Sequence, residues 1–447
     1  MSSRAKTVVG NVVVGRFIAL LGEQCSAHYA TRVATLVDLT LDGDHMDTHI
    51  STTALVRERG PHVPASMLVS GALVAMSFGA IFGLIADLQH KMNFADAWLG
   101  YVTAAAFAAG FVAQMGLARY ADRGHGRAML LVGLVLTAGA CIAVGAANNV
   151  GTLFVARLVL GFGEGMYLPA VRRVVILKNP EAVGAALGRL GSAQTAGFLV
   201  GPPFAAFIAD HVNLRLPFYL IGATLLALFP VVARFHVAPA DEAPHPAALR
   251  TLVRNPGVRI GIYIGIGMTV SVGVYDSLWA KYLRDLGAST TFIGVSLTLF
   301  GAPIVLLASR AGKLVDRYGA ARLGAIGLIG ASPFIVAYGY LKNIWLIAFV
   351  ACFHSTFDSA VVPASQAQVA SSVSDDLIAA SQGLLEGVGM LVAAGSALIA
   401  APLYSRFGAA AVWTTLAGAV VLCAFLTLRA HTKLSRSSKS QHRKHAA

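Results

Sequence analysis

After residue 64 the chain carries twelve apolar runs, each close to the ~20 residues that an α-helix needs to cross a hydrocarbon core. They cover approximately 65–88, 97–118, 128–147, 150–171, 190–208, 216–233, 260–280, 292–311, 323–341, 344–364, 377–401 and 409–428. Lipid offers no water to satisfy backbone polar groups, so runs of this length fold as membrane-spanning helices. Composition agrees: 56% of the 447 residues are hydrophobic, only 12% are charged and the mean hydropathy is +0.70, too apolar for a soluble multidomain protein. The expected fold is all-α and polytopic, with twelve transmembrane helices.

An even number of spans places both ends of the bundle on one side, and the Lys/Arg bias names that side. Arg119, Arg123 and Arg127 follow span 2, while Arg172, Arg173, Lys178 and Arg189 follow span 4. Arg234, Arg250, Arg254 and Arg259 follow span 6, and Arg310, Lys313, Arg317 and Arg322 follow span 8. The opposite side carries only Lys91, Arg215, Lys281, Arg284, Lys342 and Arg406. Both termini are expected in the cytoplasm. The formal net charge of +13 is then mostly this topogenic bias plus a basic tail over 429–447, read as a solvated end near anionic lipid headgroups. It requires no nucleic-acid partner.

Three cysteines, Cys141, Cys352 and Cys423, lie inside apolar runs and Cys25 stands alone, so neither a disulfide framework nor a metal-ligand spacing is present. Residues 1–64 hold one apolar stretch, Asn11 to Leu21, which is interrupted by Arg16 and too short to span. The segment lacks a cleavage site ahead of a secreted domain. It reads as a disordered cytoplasmic extension, or as an interfacial helix, or as the product of a start placed ahead of Met46 or Met67.

The spans repeat. Asp122 and Asp316 lie 194 positions apart (316 − 122), and the same offset pairs Arg123 with Arg317, Gly79 with Gly273, Gly100 with Gly294 and Pro169 with Pro363. One fixed offset between spans of equal rank points to a duplicated six-helix unit, hence two bundles, 65–235 and 259–428. The proline-rich stretch of mixed charge at 236–258 reads as the cytoplasmic linker between them.

Two charged loops carry the strongest motif. Gly312, Lys313, Leu314, Val315, Asp316, Arg317, Tyr318 and Gly319 lie between spans 8 and 9; a looser copy with Gly116, Asp122, Arg123 and Arg127 lies between spans 2 and 3. With twelve spans and an internal duplication, these residues resemble the G-x-x-x-D-[RK]-x-G-[RK]-[RK] loop of the major facilitator superfamily, over 65 to about 428. The resemblance implies two pseudo-symmetric six-helix bundles that rock about a central site. The first copy departs from the pattern, with Gly116 six residues before the aspartate and one extra residue after Arg123. Physically, glycine permits close helix approach, the aspartate can meet a helix N-terminus, and the arginines can meet the aspartate or terminal carbonyls. Such a cluster is a latch that forms and breaks, and in the family it is associated with the outward-facing state. The alternative is that these charges only anchor the loops.

Span 4 holds Arg157, Gly161 and Gly163, similar to the family's R-x-x-x-G-x-G pattern. Seven residues turn a helix by about 700°, so Arg157 and Glu164 share a face, and charge on that face belongs inside the bundle. The repeat offset maps Glu164 onto Asp358 in span 10, and the resemblance implies that spans 4 and 10 line the central cavity. A carboxylate in a low dielectric can hold a proton or a cationic substrate, each excluding the other. His354, one turn before Asp358, can tune or share that proton. Glu164 alternatively neutralises Arg157 as a structural pair.

Span 7 brings Asp276 beside Tyr275 and Trp279, an environment suited to a lipophilic cation, or else an interfacial aromatic belt with the carboxylate reaching water. Glu386 and Gln382 at the start of span 11 are candidates for a cytoplasmic gate. In span 5, Gly197, Gly201 and Pro202 resemble the family's antiporter motif, with tight packing against the other half expected there, or simply a kink.

Nucleotide-binding spacings are missing: there is no G-x-x-x-x-G-K-[ST], and the glycines near Gly163 lack the dinucleotide pattern. The expectation is a non-enzymatic secondary transporter with no cofactor or metal, acting as a monomer on protons and a small molecule. Proton-coupled efflux of amphiphilic drugs is the leading reading. Uptake of a sugar or organic acid, with Arg157 holding a carboxylate, is the second, and a receptor or scaffold is the third. The alanine-rich composition and the absence of an Asn-x-[Ser/Thr] acceptor suit a bacterial inner membrane.

Overall fold

A computed structural model of the chain describes residues 63–120, 124–179, 183–235, 247–374 and 377–445. The extension expected over 1–64 lies almost wholly outside the described residues, as do Asp122 and Arg123.

Every described element is helical: α1 Ala65–Met92, α2 Ala97–Tyr120, α3 Gly126–Ala146, α4 Val150–Lys178, α5 Val183–His211, α6 Leu216–Val232, α7 Ala247–Arg254, α8 Pro256–Asp285, α9 Thr290–Tyr318, α10 Ala320–Tyr338, α11 Ile344–Ala370 and α12 Ile378–His445. Helices of 29 residues such as α4, α5 and α9 reach about 43 Å at 1.5 Å per residue, more than a ~30 Å core requires. Polar residues set several starts. Asn149 caps α4, Asn255 caps α8, Ser289 caps α9 and Asn343 caps α11, each accepting a first-turn backbone N–H.

Among the described residues nine helices are long and apolar enough to cross a membrane. Three differences reconcile this with twelve passes. The apolar part of α12, Ala380–Arg436, is continuous by hydrogen bonding, but Gly408 (φ 77°, ψ −177°) breaks it into two arms, where the sequence separates runs 377–401 and 409–428. α6 is apolar but only 17 residues long. The apolarity of α5 is diluted by Arg189, Gln194, Thr195, several glycines and two prolines.

The two sets of helices pack alike. In the first, α1 lies on α5, α2 on α4, and α3 on α4 and α6; in the second, α8 lies on α12, α9 on α11, and α10 on α11 and α12. The repeat extends to single contacts. A Cβ added at Gly79 would sit 2.2 Å from the Phe198 carbonyl oxygen, and one at its counterpart Gly273 would sit 2.1 Å from that of Ala393, so both positions admit only glycine. Two seams join the sets, α2 with α12 and α5 with α9.

Of the expected linker, 236–246 lies outside the described residues, and its second part is the short helix α7. Leu252 is buried there among Val258, Val369, Leu384 and Leu385, so this part of the connection is docked on the second set.

Candidate functional site

The apolar faces of α1, α2, α4 and α5 meet those of α8, α9, α11 and α12 around a cavity of about 380 Å³. Phe78, Phe198, Trp279 and Phe300 supply much of its wall, and three carboxylates, Glu164, Asp276 and Asp358, reach it. The volume falls within the ~300–1,000 Å³ of drug-sized sites.

Arg157, 1% exposed, donates from Nη2 to Asp276 Oδ2 at 2.7 Å. Its Nε reaches the Val102 carbonyl at 3.4 Å and its guanidinium stands 5.4 Å from the centre of the Phe78 ring. The alternative in which Glu164 neutralises Arg157 thus gives way to a bond across the two sets of helices, from α4 to α8. Sequence spacing along one helix finds Glu164, but the α4–α8 contact is purely tertiary. Glu164 lines the cavity and has no ion pair or hydrogen bond among the described residues. A carboxylate so placed can take a proton or a cation from the cavity.

Asp358 lies opposite in the sequence repeat and lines the same cavity. Its Oδ2 is 3.2 Å from His354 Nε2, one turn away on α11. His354 is fully buried, and its Nδ1 meets two hydroxyls, Tyr275 Oη at 3.2 Å and Tyr338 Oη at 3.1 Å. Tyr275 and Trp279 are 7% and 1% exposed and pack on Tyr338, Trp413 and each other, with Trp279 Nε1 donating to Ser296 Oγ at 3.2 Å. They face protein, so the interfacial-belt alternative does not describe them. Tyr338 and Trp413 carry no sequence signal, because an aromatic in an apolar span looks the same whether it faces lipid or a neighbour.

At the end bearing the basic loops, Arg172 Nη1 and Gln114 Nε2 both donate to Glu386 Oε2, at 2.6 and 2.8 Å, which joins α4 and α2 to α12. Gln382 bonds instead within the second set, to the Gln366 carbonyl at 2.9 Å. At the opposite end Asp87 on α1 pairs with Arg284 on α8, and Thr290 bridges them, accepting from Arg284 at 2.8 Å and donating to Asp87 at 2.9 Å.

The loop motifs are looser than expected. A Cβ at Gly116 or Gly312 would meet nothing within 4 Å among the described residues, so neither glycine serves a close helix approach there. Gly319 is required for another reason: it ends α9 with φ 88°. Arg127 donates to the Ala233 carbonyl at the end of α6 at 2.9 Å, a terminal-carbonyl contact of the expected kind. Asp316 and Arg317 are exposed, with Arg317 5.3 Å from the centre of the Tyr318 ring and Asp316 without an ion pair among the described residues.

In α5 a Cβ at Gly197 would lie 1.9 Å from the Ala72 carbonyl oxygen, and one at Gly201 2.7 Å from that of Met76. These glycines therefore pack α5 on α1 within one set, not on the other half as expected. Contact with the other half runs through Pro202, whose carbonyl oxygen a Cβ at Gly294 would approach to 2.8 Å.

Comparison with known proteins agrees with this architecture. The multidrug resistance protein MdtG of Salmonella arizonae is 25% identical over 280 residues, covering 60% of this chain and 69% of its own. A crystal structure of the nucleoside transporter NupG superposes with a TM-score of 0.69 at 13% identity, covering 82% of this chain and 98% of that one. A bacterial homologue of the human lysosomal transporter Spinster, inward-facing and occupied, superposes with a TM-score of 0.66 at 15% identity, covering 84% and 96%. The sequence model of the Major Facilitator Superfamily matches residues 67–280 and 260–447. The chain is an integral membrane protein and belongs to the Major Facilitator Superfamily of transporters.

Proposed function

We propose that the chain exports cationic amphiphiles in exchange for protons by alternating access. The observation that carries this reading is the state of the cavity charges: among the described residues Glu164 makes no ion pair and Asp358 meets only His354, one from each set of helices, while Arg157 is occupied by Asp276. A predominantly apolar, aromatic wall with two carboxylates, neither held by an arginine or lysine in an ion pair among the described residues, favours a lipophilic cation. A proton arriving at either carboxylate displaces the cation, and its release on the other side resets the site. The likeness to a multidrug resistance protein supports the same direction. Uptake of an organic acid fits less well, since its recognition would require Arg157 to leave a buried partner.

In this reading the Asp87–Arg284 and Arg172–Glu386 contacts are the two gates, the basic loops and both termini are cytoplasmic, and the protein works as a monomer in a bacterial inner membrane. His354 holds Asp358 in place, and Tyr275 and Trp279 form one wall for the substrate. The loop residues Gly116, Asp122, Arg123, Arg127, Gly312, Asp316, Arg317 and Gly319 serve the conformational change. The test is accumulation of a fluorescent lipophilic cation in cells producing the wild type, Glu164→Gln or Asp358→Asn. The reading expects lowered accumulation with wild type alone; equal accumulation in all three, with the proteins present in the membrane, rejects it.

A further inference from the structure

A second, shorter repeat runs through the first six helices. Asp122 and Asp210 lie 88 positions apart (210 − 122), and the same offset pairs Leu99 with Leu187, Gly100 with Gly188, Ala105 with Ala193, Val112 with Val200 and Ala121 with Ala209. Shifted by 88, the bounds of α1, α2 and α3 become 153–180, 185–208 and 214–234, which fall on α4, α5 and α6. Helices three apart in an alternating bundle run in opposite directions, so the repeat is inverted. In the sequence Asp122 follows α2 by two residues, and its counterpart in the repeat, Asp210, lies in the last turn of α5, at the end opposite the basic loops.

The structure shows what Asp210 does there. Its Oδ2 accepts from the backbone N–H of Thr291 at 3.0 Å and from the Thr291 hydroxyl, in the first turn of α9. Ser289 already caps that helix through Phe292 N–H, so Asp210 satisfies a further free donor from across the seam and sets a negative charge at the positive end of α9. The same seam closes toward mid-depth, where Thr298 donates to the Leu199 carbonyl at 2.8 Å and a Cβ at Gly301 would lie 1.9 Å from Leu199 Cδ2.

We propose that Asp210 is the positioning residue of a latch on the end opposite the basic loops: it caps α9 in trans and holds α5 and α9 together there, as the inverted counterpart of Asp122. The consequence for transport rests on the alternating-access reading above; the latch itself does not.

Distances test it without substrate. Spin labels at Val212→Cys and Tyr340→Cys, 69% and 68% exposed on the two sides of this end, report its opening by pulsed dipolar spectroscopy in the full chain, with Cys25, Cys141, Cys352 and Cys423 replaced. Loss of a helix cap predicts that Asp210→Ala raises the longer-distance population about fivefold. Asp210→Asn, which keeps the acceptor and loses the charge, is expected between Ala and wild type, and Asp210→Glu near wild type. Thr291→Val, on the other partner, is expected to move the population in the same direction. Distributions unchanged in both Asp210→Ala and Thr291→Val overturn the proposal. A chain that transports none of the compounds tried would leave this result standing, so the two readings fail separately.

Discussion

Arg157 Nη2 and Asp276 Oδ2 stand 2.7 Å apart, and this buried pair ties α4 in one set of helices to α8 in the other. Removing one partner leaves the other charged and unsatisfied away from water, a loss of about 3–5 kcal/mol, whereas replacing both by apolar residues of similar size is far milder. Asp276→Asn and Arg157→Met are therefore each expected to lower the melting temperature of the purified protein. The double variant Arg157→Met with Asp276→Leu is expected to recover most of the loss. Additive destabilisation in the double variant would deny that the two act as a pair.

Glycine contacts separate two classes of position. Gly197→Ala forces a Cβ to within 1.9 Å of the Ala72 carbonyl oxygen and must part α5 from α1, for which ~1–3 kcal/mol of strain is a reasonable scale. Gly312→Ala meets nothing within 4 Å among the described residues and is expected to change stability by less than about 0.5 kcal/mol. Thermal unfolding in detergent checks the order; a Gly312→Ala variant as unstable as Gly197→Ala would contradict it.

Binding of a lipophilic cation should depend on pH with a fixed sign. A proton and the cation compete for a carboxylate, so cation affinity is highest at high pH and falls as pH drops through the titration of the site, by up to about tenfold per pH unit for each proton displaced. Isothermal titration of wild type across pH 5 to about pH 9 reads this slope. In Asp358→Asn the slope is expected to shrink by about one proton, and an unaltered slope would remove Asp358 from the exchange.

The Arg172–Glu386 pair is about one-third exposed on each side (32% and 29%), so its contribution to stability is small, roughly 0–1 kcal/mol. Its expected effect is on conformation. Glu386→Gln should speed thiol labelling of a cysteine placed at Gly110, inside the cavity, from the basic side, with little change in melting temperature. Unchanged labelling together with a large melting shift would make the pair structural only.

Much of the fold is legible in the sequence because membrane spans are written in one dimension. Apolar runs, loop charges and the 194-residue offset follow from length, hydropathy and identity alone, and they place Glu164 and Asp358 at one cavity. What the sequence leaves out depends on which helix faces which. Arg157 finds Asp276 and not its helix neighbour Glu164, Glu386 finds Arg172 and Gln114, and His354 is gripped by Tyr338 from α10. Gly197 and Gly201 match a motif by spacing, yet the surface they meet is α1. Spacing reports the face of a helix, while the partner on that face belongs to the tertiary fold.

Proton-for-cation exchange is tested most directly by substrate-driven proton movement in proteoliposomes of the purified chain, read with an internal pH-sensitive dye while lipophilic cations are added. At least one cation is expected to drive proton flux through the wild type, and Asp358→Asn and Glu164→Gln are each expected to reduce it at least tenfold while remaining folded. Flux that persists at wild-type level in both variants would contradict the claim that these two carboxylates exchange protons for substrate.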